Sequence, residues 1–209
     1  MSEHPDAIRN SCESHPESAA AVRTLQWITI VWMLIEISVA MAAGIRAHSV
    51  ALTGFGLDSA IEFLSAVIVL WRFRLGPSVE KRATRIAAIL LYLLAVYIFV
   101  SVGLALAAFT AEPQPSIAGI ALLCVATSFM PLLGRAKRKL ASQTRSSTLR
   151  ADAAQTNVCA YMSWISLSGL LLNARWHLHW ADSAAALLLL PLIIREAMDA
   201  QKGESCECS

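Results

Sequence analysis

The sequence carries too little charge to build the surface of a soluble protein. Asp, Glu, Lys and Arg make up 15% of its 209 residues, against about 25% in an average soluble domain. A chain of this size exposes much of itself and needs a polar shell. With 56% apolar residues, lipid is the expected solvent. Excess charge of one sign is also lacking. The net charge is +2, which argues against a nucleic-acid footprint. A regular cysteine pattern is absent too. The five cysteines, Cys12, Cys124, Cys159, Cys206 and Cys208, are odd in number and unevenly spaced, so they are not a disulfide framework. Residues 1–24 contain no apolar run. A cleavable signal peptide is therefore not expected, and the first membrane helix would act as its own insertion signal.

Long apolar runs are what the chain has. A membrane span needs about 20 mostly apolar residues. Six segments qualify: 25–45, 49–72, 86–109, 116–133, 151–173 and 181–198. The third runs from Ile86 to Phe109 without a charge. The fourth is short and is expected to end near Pro131. The sixth contains Pro191, which membrane helices tolerate. The fifth is the least hydrophobic, and it qualifies because its polar groups fall on one face. The expectation is an all-α polytopic membrane protein with a tail at 1–24, a six-helix domain at 25–198 and a short tail at 199–209, too short for a core of its own.

The basic residues cluster in alternate connections. Arg72, Arg74, Lys81, Arg82 and Arg85 follow the second segment. Arg135, Lys137, Arg138, Lys139, Arg145 and Arg150 follow the fourth. The other connections hold Arg46, Arg175 or none. Positive charge stays cytoplasmic, so both termini are expected there. The stretch RAKRKLASQTRSSTLR reads as a solvated loop near anionic lipid.

Two carboxylates interrupt the second segment. Asp58 and Glu62 in GFGLDSAIEFLSAVIVLW are four residues apart, on one helix face. A charged group near mid-bilayer costs at least ~2.5 kcal/mol. Two like charges one turn apart cost more unless a cation or a proton neutralises them. Intramembrane acids of this kind usually line an ion or proton path; the plainer reading is a protonated pair bonded to neighbouring helices. In the fifth segment, RADAAQTNVCAYMS, Asp152, Gln155 and Cys159 also share a face. Gln155 offers an oxygen and Cys159 a thiolate. Zinc accepts carboxylate and thiolate together, magnesium and calcium avoid sulfur, and cadmium accepts it.

These two segments resemble spans two and five of the cation diffusion facilitators, dimeric six-span exporters of zinc and related divalent ions. That family carries an acid or His four residues before an acid in span two, matched by Asp58 and Glu62. In span five it carries an Asp, then a His or Asp three residues on, then an Asp four further. Asp152, Gln155 and Cys159 fall on those positions. WADSAAALLLL, with Asp182, resembles the start of the family's span six. DSAIEFLSAVIVLWRF is similar to the transmembrane-163 branch. The resemblance implies a metal site of Asp58, Glu62, Asp152, Gln155 and Cys159. It implies zinc as transported ion, with cadmium or cobalt as alternatives, exchanged for protons by alternating access across the cell (inner) membrane. It also implies a short form without the family's C-terminal cytoplasmic domain, and a homodimer held by membrane helices.

Other residues invite weaker readings. Glu36, inside the first segment, either approaches the site or pairs with a polar group. Cys206 and Cys208 form a C-x-C, and His4, Cys12 and His15 lie in the other tail. Each set reads as a metal-collecting arm or as unstructured chain. His177 and His179, between tryptophans, read as interfacial residues. Two rival functions share the composition: a non-transporting metal-binding membrane protein that regulates a partner, and a membrane phosphotransferase. The phosphotransferase would need acids and basic groups clustered at the membrane surface, whereas these acids lie deeper.

Overall fold

A computed structural model describes residues 16–75, 78–107, 112–144, 147–176 and 178–202, and its elements are all α-helices. They are α1 (Pro16–Ala47), α2 (Val50–Leu75), α3 (Ser78–Leu106), α4 (Ile117–Thr144), α5 (Ser147–Trp176) and α6 (His179–Lys202). Among the described residues α1, α2, α3 and α4 each contain a stretch long and apolar enough to cross a membrane. His4, Cys12, His15, His177, Cys206 and Cys208 lie outside the described residues.

Four helices close into a ring. α1 packs on α2, α2 on α5, α5 on α4, and α4 back on α1. α3 and α6 pair with each other and flank the ring against α2 and α5. The outward faces are apolar. On α3, Leu93, Val96, Phe99 and Val100 are all exposed, Phe99 by 66%. Side chains of this kind facing outward in bands suit lipid and not water. α5 is built inside out: Asp152, Gln155, Thr156, Ser163 and Ser166 are buried, while Tyr161, Trp164, Leu171 and Leu172 face outward. The low hydrophobicity of the fifth segment is thus concentrated on its inner face, although Ser168 is exposed.

α4 does not stop at Pro131 but continues to Thr144. A proline costs its helix one hydrogen bond, and packing over ten buried positions from Gly119 to Ala141 offsets that loss. The expected solvated loop is therefore mostly helix: residues 135–144 belong to α4 and 147–150 to α5. Arg135, Arg138 and Lys139 are exposed, as expected of a basic surface, but Lys137 is fully buried.

The turn between α1 and α2 is tight. His48 takes a left-handed conformation, with φ of 52°. The Ser49 amide bonds back to the Gly44 carbonyl at 3.0 Å, and the His48 amide to Ile45 at 3.3 Å. This pairing satisfies the last carbonyls of α1. Gly44 is needed there, because a Cβ would meet the Thr53 amide nitrogen at 2.9 Å. The start of α2 then has two caps. Ser49 Oγ accepts from the Leu52 amide at 3.1 Å. Asp182, from α6, accepts from Ser49 Oγ and from the Val50 and Ala51 amides at 2.8 and 3.4 Å. Segment 112–116 is tied to the same end: the Gln114 amide donates to the Ala47 carbonyl at 2.7 Å, and Asn173 of α5 donates to the Pro113 carbonyl at 2.9 Å.

Asp182 thus caps a neighbouring helix in place of its own. Asp182→Ala is expected to cost about 1–2 kcal/mol, read as an earlier thermal unfolding of the detergent-solubilised protein. Asp182→Asn, which keeps an acceptor, should lose less. An unchanged melting temperature in the alanine variant would rule out the cap.

Candidate functional site

The polar groups of the ring helices meet near the middle of α2. Glu62 lies about 18–20 Å from either end of that helix, at a rise of about 1.5 Å per residue. Asp58 lies one turn towards the Ser49 end. Both are completely buried, as are Glu36 of α1, Lys137 of α4 and Cys159 of α5; Asp152 of α5 is 1% exposed. Lys137 is the one buried cation among the described residues.

Lys137 joins three elements. Its Nζ lies 3.0 Å from Asp152 Oδ2 and 3.3 Å from Glu62 Oε1. It also donates to Thr156 Oγ1 at 2.8 Å, and the Thr156 hydroxyl donates to Glu62 Oε1. The approach of α4 to α5 depends on Gly134, one turn before Lys137. A Cβ there would lie 2.6 Å from Asn157 Oδ1, so a side chain would have to displace the Asn157 amide, which donates to the Ala153 carbonyl.

The four buried acids are not equivalent. Asp152 is fully engaged: besides Lys137, Gln26 of α1 donates to Oδ2 at 2.8 Å and Ser65 of α2 donates to Oδ1 at 3.3 Å. Glu36 is also satisfied, accepting from Trp32 Nε1 at 2.7 Å and from Ser59 Oγ at 3.0 Å. Glu62 is half engaged, because Oε2 has no partner. Neither oxygen of Asp58 has a hydrogen bond of normal geometry, and the donor that bears on it is the Cys159 thiol. The Cys159 thiol faces both Asp58 and Glu62.

The residues singled out from the sequence therefore separate. Asp58, Glu62 and Cys159 come together. Asp152 adjoins Glu62 but is bound to Lys137. Gln155 is buried, with its Nε2 unpaired. Among the described residues, no three His, Cys, Asp or Glu side chains converge closely enough to hold a metal ion as they stand. Glu36 interacts with Glu62 and Asp58 and pairs with Trp32 and Ser59. Lys137, Gln26 and Thr156 were not anticipated. Lys137 was legible in principle, because Met130, Leu133, Gly134, Lys137 and Ala141 recur at three- and four-residue spacing along one buried stripe.

Four buried carboxylates against one ammonium leave three formal negative charges if all are ionised. Buried charge is tolerated only when paired or neutralised. That imbalance is concentrated at Asp58, Glu62 Oε2 and Cys159, since Asp152 and Glu36 have their own donors.

No protein-family model matches the chain. It is similar to the manganese efflux system protein MneS of Bacillus subtilis (strain 168), with 25% identity over 191 residues. The match covers 85% of this chain and 65% of the relative, so the chain spans about two thirds of that protein's length.

The contrast between the acids is measurable. Asp152→Ala takes from Lys137 its shorter ion pair and from Gln26 its acceptor, and is expected to cost about 3 kcal/mol of stability. Asp58→Asn removes a charge that has no hydrogen bond of normal geometry and should leave the metal-free protein as stable or more so. Equal losses in thermal unfolding would show that Asp58 is as much an anchor as Asp152.

Proposed function

We propose that the chain is a divalent metal cation exporter of the cation diffusion facilitator type. In this reading all six helices span the cell (inner) membrane, both termini are cytoplasmic and two copies pair through their membrane helices. The observation that carries it is the cluster of Asp58, Glu62 and Cys159. These are three buried groups with anionic forms, short of donors and set inside a ring of four helices. The naming of a similar protein as a manganese efflux system supports the same class of cargo.

The transported ion binds between Asp58, the free Oε2 of Glu62 and the Cys159 sulfur. Gln155, one turn before Cys159, supplies a further oxygen after turning inward. Asp152 holds the site from behind through Lys137. The mixed donor set of two carboxylates and a thiol suits zinc, and also cadmium or cobalt. Manganese is the second candidate, because the relative is named for it and carboxylates suit that harder ion. Protons are the counter-substrate. The cluster carries more acid than Lys137 can neutralise, so its surplus charge is met by the metal ion in one state and by protons in the other. Metal ligands must be deprotonated to coordinate, which makes metal and proton occupancy mutually exclusive. The helices rock about the occupied site, exposing it first to the cytoplasm and then to the outside.

In proteoliposomes with an acidic lumen, zinc uptake is expected to collapse when the proton gradient is dissipated and to be abolished by Asp58→Ala. Normal uptake in a well-expressed Asp58→Ala protein would remove the central claim. Replacing the thiol tests the ion: Cys159→Asp should keep zinc transport and lower cadmium transport relative to it, since sulfur is the softer ligand. An unchanged zinc-to-cadmium ratio would mean that Cys159 does not touch metal.

A further inference from the structure

A site built to receive a cation contains a cation already. Lys137 is fully buried, and its ammonium contacts only acceptors: Glu62 Oε1, Asp152 Oδ2 and Thr156 Oγ1. The longest of these contacts is the 3.3 Å one to Glu62. Glu62 is divided between two environments. Oε1 takes Lys137 and Thr156, while Oε2 is free on the side of Asp58. Asp152 is different, because Gln26 and Ser65 complete its shell and keep it in place whatever Glu62 does.

We infer that Lys137 is a tethered counter-ion that competes with the transported ion for Glu62. In the metal-free state it holds Glu62. When a divalent cation binds at Asp58 and Glu62, it withdraws onto Asp152 and Thr156. The inference rests on the transport site proposed above. Lys137 remains an ammonium throughout; no bond is made or broken, and only its electrostatic partner changes.

Three features favour this assignment over a plain structural prop. A lysine is a compact charge on a flexible stem, so it can shift between neighbouring carboxylates, whereas a guanidinium would be pinned by a fork of bonds. Two acceptors other than Glu62 already lie within 3.0 Å of Nζ, so withdrawal does not strand the charge. The carboxylate it would give up is the one with an oxygen that has no hydrogen-bond partner. A resident positive charge also keeps the incoming ion from binding too tightly. An exporter needs that, because its ion must leave as well as enter.

The test uses the full chain in lipid nanodiscs, with equilibrium binding of radioactive zinc and, in parallel, manganese. The variants are Lys137→Met, which removes the charge, and Lys137→Gln, which removes it while keeping a hydrogen-bond donor for Asp152 and Glu62. Both are expected to bind zinc about ten-fold tighter or more, as loss of a like charge a few ångströms away dictates. Their zinc turnover in proteoliposomes should fall, because release slows. Lys137→Arg keeps the charge and should bind no tighter than wild type. A structural prop would give the opposite sign, weaker binding together with lower stability. If wild type binds zinc while the helical, monodisperse Lys137→Met and Lys137→Gln proteins bind it equally or more weakly, the counter-ion role is overturned and the transport site stands. If neither wild type nor any variant binds zinc or manganese, the transport site fails, and the counter-ion role fails with it.

Discussion

The ion pairs of Lys137 are the interaction on which the rest of the bundle depends. One ammonium links α4 to α2 through Glu62 and to α5 through Asp152, and Asp152 extends the link to α1 through Gln26. All four helices of the ring are thus tied by one charge and its acceptors. The hydrocarbon region offers no water to a broken partner, so the links hold as a set. Gly134 makes the arrangement reachable by letting α4 lie against α5 one turn before the lysine.

The same knot sorts the acids into two kinds. Asp152 and Glu36 have donors enough to be ordinary parts of the architecture. Asp58 and half of Glu62 do not. Burial alone therefore does not mark the candidate site, since all four carboxylates are buried. What marks it is the shortage of donors, and that shortage falls on two residues that interact with the Cys159 thiol.

Much of this was legible in the sequence. Apolar length located the six helices, and the four-residue spacing of Asp58 and Glu62 put both on one inward face. The inner face of α5 also followed from its spacing, with Asp152, Gln155 and Cys159 all buried. Two things were not read. Lys137 stood in a basic run after a proline, and a rule that ends a span at charge and proline stops at residue 133. The helix continues to Thr144 because its buried stripe continues. Donor satisfaction was the other. The partners of Asp152 are Gln26, Ser65 and Lys137, which lie as far as 126 residues away in sequence, and no local pattern announces them. Asp182 was read as part of a likeness in the sixth segment, and its contact with the first turn of α2 is likewise long-range.

The bundle is fastened by two different chemistries. At the end where α1 turns into α2, the fastenings are hydrogen bonds of the backbone and of capping groups: Ser49 and Asp182 on α2, Gln114 on α1, Asn173 on segment 112–116. At Glu62 the fastening is an ion pair. A divalent cation competes strongly for the Glu62 carboxylate, whose Oε2 is free, and weakly for carbonyls, amides and the Asp182 carboxylate, which already accepts from Ser49 and two backbone amides. Metal concentration would therefore act on one seam of the molecule and leave the other indifferent.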